Sequence, residues 1–173
     1  TQGAYFNNCV VKNISSVATA TTGCGIGPLV GYCLGTTING CAVIGNMSSK
    51  FTAPFVGMNN YGDLIQVNTS YATSNLFGSY EVPDNEIHTN VVLCGQNTID
   101  IPAPDGTATT KTIETDRDFR SLFMLPILGL DAWVFMDEEY PLPVTFEDLL
   151  PMEVNKAEYR RFTNHCERLN ALM

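Results

Sequence analysis

A chain of 173 residues, 45% of them hydrophobic, is long enough to bury a full apolar core without help from metals or disulfides. Nine basic against eighteen acidic side chains leave a net charge of −9. That balance excludes a phosphate-backbone binder, which needs a positive face to displace counterions, so nucleic acid is not expected as a direct partner.

The charge is unevenly spread. Residues 1–110 hold only Lys12, Lys50, Asp63, Glu81, Asp84, Glu86, Asp100 and Asp105, and the other 19 charges fall in the last 63 positions. The first part takes its polarity from Gly, Thr, Ser and Asn, as strands and turns do, whereas the second has the charge density of exposed helix. The fold class expected is α+β, mainly β, with short antiparallel strands and Gly/Pro turns followed by a C-terminal helical segment. One domain is expected over 1–173: a β-rich body at 1–115, a mixed part with a proline-rich arm at 116–150, and a helix at 151–173.

Taken in chain order, the stretch between Lys12 and Lys50 carries no charge and contains the glycine-rich run from Gly23 to Gly35. Pro28, Asn39 and five threonines dilute its hydrophobicity below that of a bilayer span, so no membrane span is expected. Cys24, Cys33 and Cys41 recur beside or near glycines, which suggests a meander of short strands, with too few copies to declare a solenoid. Further strands are expected at Phe51–Val56, Asp63–Val67, Leu76–Val82 and Ile87–Cys94, the last with both faces largely buried. Thr98–Ile101 and Ala108–Glu114 flank a Pro-Asp-Gly turn and form the best hairpin in the chain. Asp116 is read as the cap of a helix over Arg117–Leu125 that Pro126 ends, and Leu130–Met136 as a strand around the single tryptophan, Trp133.

Glu138–Val144 holds two prolines and reads as an extended arm. Beyond a short helix at Phe146–Leu150, a stripe of Asn155, Tyr159, Phe162, Cys166, Leu169 and Met173 at alternating spacings of three and four marks one side of a helix.

Chemistry is sparse. His88 and His165 are the only histidines, so a cysteine hydrolase would have to use Cys24 or Cys41 with His88. No metal site is expected, because neither zinc nor calcium spacings occur, and His165 and Cys166 point apart on a helix. The glycine-rich run lacks the Lys-Ser/Thr of a phosphate cradle, Asp137–Glu139 reads as a solvated loop, and no cofactor is expected. Three glycosylation sequons at Asn13, Asn46 and Asn68 are about what chance places in so Asn-, Ser- and Thr-rich a stretch. No signal peptide is visible at Thr1.

The leading expectation is a non-enzymatic structural subunit of a homo-oligomeric assembly, a virus or phage capsid, decoration or tail protein located in the virion. Low charge lowers the desolvation cost of extensive contacts, and the partners would be copies of the chain and other assembly subunits. Tyr140 and Leu142 on the arm, with Tyr159, Phe162 and Leu169 on the last helix, are the expected interface. The alternative is a secreted, extracellular binding domain linked by disulfides among the six cysteines.

Overall fold

The computed structural model describes residues 2–16, 27–47, 53–59, 63–75, 80–102, 106–136 and 138–144. The expected terminal helix, with Tyr159, Phe162 and Leu169, lies outside these residues, as do the helix expected at Phe146–Leu150 and most of the strand expected at Leu76–Val82.

The chain is mainly β, but its strands are mostly parallel. β1 (Gln2–Asn7), β3 (Val30–Asn39), β6 (Ile65–Asn68) and β8 (Glu86–Thr89) form one parallel sheet in that order, with β5 (Val56–Asn59) pairing the first half of β3. β2 (Val10–Ser16), β4 (Ala42–Met47), β7 (Tyr71–Ala72) and β9 (Val92–Leu93) form a second parallel sheet. Each strand of the first sheet turns a corner into the matching strand of the second. The chain therefore winds through four stacked coils as a parallel β-solenoid, which corrects the expected antiparallel meander.

The corner explains why the chain bends there. Asn8, Gly40, Thr69 and Asn90 occupy equivalent places in successive coils, and all four have left-handed backbone, with φ between +46° and +61°. Asn and Gly adopt that conformation most readily, so short polar residues interrupt what would otherwise be single long strands. The expected strand Ile87–Cys94 is broken this way at Asn90. The amide groups of Asn8, Gly40 and Thr69 donate to carbonyls of the next coil at 2.8–3.1 Å, so the bend leaves no buried donor stranded.

Two cores follow from this geometry. The lumen between the sheets is filled by Cys33, Ile38, Cys41, Val43, Met47, Phe55, Ile65, Val67, Ala72 and Leu93. The second core lies on the outer side of the β2-β4-β7-β9 sheet, where Ala42, Ile44, Tyr71, Val92 and Cys94 meet Ile113, Phe119, Met124, Leu125, Leu128, Trp133 and Phe135. Tyr71 packs against Trp133 at 5.1 Å between ring centroids, the Tyr71 hydroxyl donates to the Pro141 carbonyl at 2.8 Å, and the Trp133 indole N–H donates to the Thr69 carbonyl at 2.9 Å. Both aromatic side chains thus bury their bulk with the polar tip satisfied.

The covering layer begins with the hairpin expected from Pro-Asp-Gly, found as β10 (Thr98–Pro102) against β11 (Ala108–Thr112) with Thr98 opposite Thr112. α1 (Asp116–Phe119) is capped by Thr115 and not by Asp116: the Thr115 hydroxyl accepts the Asp118 amide, and the Asp118 carboxylate accepts the Thr115 amide at 2.9 Å. After one 3₁₀ turn, α2 (Leu125–Leu128) carries Pro126 in its first turn, so this proline starts a helix where it was expected to end one. β12 (Trp133–Val134) then pairs antiparallel with β13 (Leu142–Pro143).

The arm is occupied within its own chain. Tyr140 packs on the second core, its hydroxyl donates to the Asp116 carboxylate, and the Arg120 guanidinium lies 4.8 Å from its ring centre. Leu142 is half-buried opposite Val134.

Candidate interaction face

Strand alternation sorts the first sheet into rows, since neighbouring positions point to opposite faces. Ala4, Thr36, Ile65 and Glu86 stand in register and face the lumen, as do Phe6, Ile38, Val67 and His88 two positions on. Between them, Tyr5, Thr37, Gln66 and Ile87 make one outward row, and Asn7, Asn39, Asn68 and Thr89 make the next. Successive members lie about 4.8 Å apart, the spacing of hydrogen-bonded strands.

This outward face is open among the described residues, unlike that of the other sheet. Tyr5 is 75% exposed and Ile87 48%, and Leu64, two positions before Gln66, is exposed as well. None of the eight residues in the two rows is Asp, Glu, Lys, Arg or His, so the rows carry no charge. The face offers apolar area at its two ends and amide and hydroxyl groups between, a composition that favours contact with another polar, uncharged surface.

The lumen side of the last coil holds a buried polar cluster. The Glu86 carboxylate accepts the Tyr80 hydroxyl at 2.9 Å and meets His88 Nε2 at 2.6 Å, while the edge of the His88 ring packs on Phe55. Burial, together with the neighbouring carboxylate, pushes the Tyr80 phenol far above its ordinary pKa. Tyr80 and His88 thus both bond to Glu86, which gives the buried carboxylate two polar partners on the lumen side of the last coil.

The sequence-derived candidates separate. His88 is two strands across from Ile38, about 10 Å away, and Cys41 lies three residues beyond Ile38 at the corner. Cys41 Sγ donates to the Phe6 and Asn39 carbonyls instead, and burial pushes its pKa up to about 11, the reverse of an activated thiol. The structure therefore does not bring Cys41 and His88 together, and Cys24 lies outside the described residues. Cys9, Cys41 and Cys94 are free thiols. Among the described residues no group of His, Cys, Asp and Glu could hold a metal ion, and no helix is long and apolar enough to cross a membrane.

Tyr5 and Ile87 were missed, although a signal existed. Asn7-Asn-Cys-Val10, Asn39-Gly-Cys-Ala42, Asn68-Thr-Ser-Tyr71 and Thr89-Asn-Val-Val92 are one corner repeated four times: an outward polar residue, a left-handed residue, a small or inward side chain, then a strand start. Aligning these four places Tyr5 and Ile87 in one outward row. No protein-family model, curated protein or solved structure matches the chain.

Proposed function

We propose that the chain is a non-enzymatic structural subunit that assembles with copies of itself through the outward face of the β1-β3-β6-β8 sheet, the kind of subunit from which capsid, decoration or tail particles are built. The observation that supports this reading is the contrast between a net charge of −9 and an open face whose two rows carry no charge. Copies approaching through any strongly acidic surface would place like charges together, whereas this face juxtaposes none. A two-fold contact also suits it, because the Tyr5 end of one copy can then meet the Ile87 end of its partner.

Sedimentation of the protein as purified tests this, with Tyr5→Lys/Ile87→Lys as the comparison. The wild type is expected to sediment as an oligomer and the variant as a monomer with an unchanged circular dichroism spectrum. A monomeric wild type, a variant of undiminished mass, or a variant that unfolds because its own chain covers this face would each overturn the proposal.

A further inference from the structure

Cys9 and Cys41 occupy the same place in adjacent coils, each directly after a left-handed corner residue. The register fixes their separation: Asn7 pairs with Asn39 before them and Val10 with Ala42 after them, and the Cys9 carbonyl accepts the Ala42 amide at 2.9 Å. Adjacent paired strands hold their Cα atoms about 5 Å apart, inside the 4.4–6.8 Å range usual for a disulfide. Both side chains turn toward the lumen, Cys41 fully buried there and Cys9 half-buried against the same core. The sulfur of Cys41 is also close enough to accept the Cys9 amide, at 3.4 Å.

From this geometry we infer that Cys9 and Cys41 form an oxidisable dithiol, a modification site that takes a disulfide between the first and second coils when the protein meets a low-molecular-weight disulfide such as oxidised glutathione. Cys9, the more accessible of the two, loses its proton and attacks one sulfur of the reagent, forming a mixed disulfide and releasing one thiolate, which takes up the proton. Cys41 then loses its proton and attacks the Cys9 sulfur, closing the protein disulfide and releasing the second thiolate, which is protonated in turn. Two protein thiols are oxidised, and one reagent disulfide is reduced to two thiols. Among the described residues, Cys33 and Cys94 have no cysteine in the equivalent position of a neighbouring coil: Cys94 lies on the outer side of its sheet and Cys33 pairs with Asn59. Among the four described cysteines the reaction is therefore selective for the corner pair. Its product ties β1 and β2 to β3 and β4, closing a long loop, and resists opening of the first coil.

The test equilibrates the native chain in a series of oxidised and reduced glutathione, blocks free thiols by alkylation, and maps the peptides without reduction. The expected result is a Cys9–Cys41 linked peptide pair two hydrogens lighter than the reduced pair, reversed by dithiothreitol, with Cys33 and Cys94 still alkylated. The oxidised protein is also expected to melt roughly 5–10 °C higher, a shift absent in Cys9→Ala. Cys9 and Cys41 both alkylated throughout the series, a glutathione adduct persisting on Cys9, or either thiol linked elsewhere would overturn the inference. Peptide mapping needs no variant, so a Cys9→Ala protein that failed to fold would not spoil the test.

Discussion

Four residues stand at the corners of the coils with one backbone conformation and unequal suitability for it. Gly40 is required twice over: its φ is +61°, and a Cβ placed there would run into the Asn8 side-chain oxygen of the neighbouring coil. Gly40→Ala is therefore expected to cost about 2–3 kcal/mol, combining the left-handed penalty with the displacement of Asn8. Thr69 is the opposite case, a β-branched residue held at φ +46°, where such side chains are poorly accommodated. It stays there because its carbonyl receives the Trp133 indole and its amide donates to Thr89. Thr69→Asn leaves both backbone bonds in place and relieves the strain, so it is expected to raise stability by about 1 kcal/mol. Chemical denaturation of both variants checks the pair. Equal midpoints for wild type and Gly40→Ala would mean that the corner does not pack as described.

At the scale of the element, α1 depends on Asp118. The carboxylate is 4% exposed, accepts the amides of Glu114 and Thr115, and pairs with Lys111 at 3.0 Å. Burial works to raise its pKa, but the hydrogen bonds from Thr115, Lys111 and Glu114 outweigh burial and hold it below the ordinary carboxylate value. A lowered folded pKa means that this stabilisation is fully present above the ordinary Asp range and is lost as pH falls through the lowered value. Asp118→Asn is thus expected to melt well below wild type at pH 7 and to converge on it in strong acid; a constant gap across that range would remove the carboxylate from the account. The arm is tied to the same helix through Tyr140 and Asp116. Tyr140→Ser/Leu142→Ser is expected to lower the melting temperature of the folded chain, read by circular dichroism at a concentration too low for association. Element by element, legibility in the sequence tracked how local the determining chemistry was. The β10-β11 hairpin was visible because its turn lies between its strands. The parallel pairs were not, because each strand's partner is one coil away across connections that shorten along the chain, and the four-residue corners that mark the register share little residue identity. The outward row of Tyr5 and Ile87 shared that obscurity, since a side chain's face is known only once its corner is placed.

For the molecule as a whole, the distribution of charge matters more than its sum. The two outward rows of the first sheet are uncharged, while Glu81 and Asp84 are exposed just before β8 and Glu114, Asp116, Arg117 and Arg120 are exposed around α1. Copies that meet through the uncharged rows still bring two net charges of −9 toward one another at long range. That repulsion acts across solvent and is screened by salt, the Debye length falling from about 10 Å at 0.1 M to about 3 Å at 1 M. The short-range contacts proposed at Tyr5 and Ile87 are apolar and are not weakened by screening. Self-association is therefore expected to tighten severalfold between 0.1 and 1 M sodium chloride, measured by sedimentation at several protein concentrations. An interface built on ion pairs would respond in the opposite sense, because screening removes the attraction that holds it. Association that weakens with salt would accordingly move the contact away from the uncharged sheet face and onto the charged surface around α1.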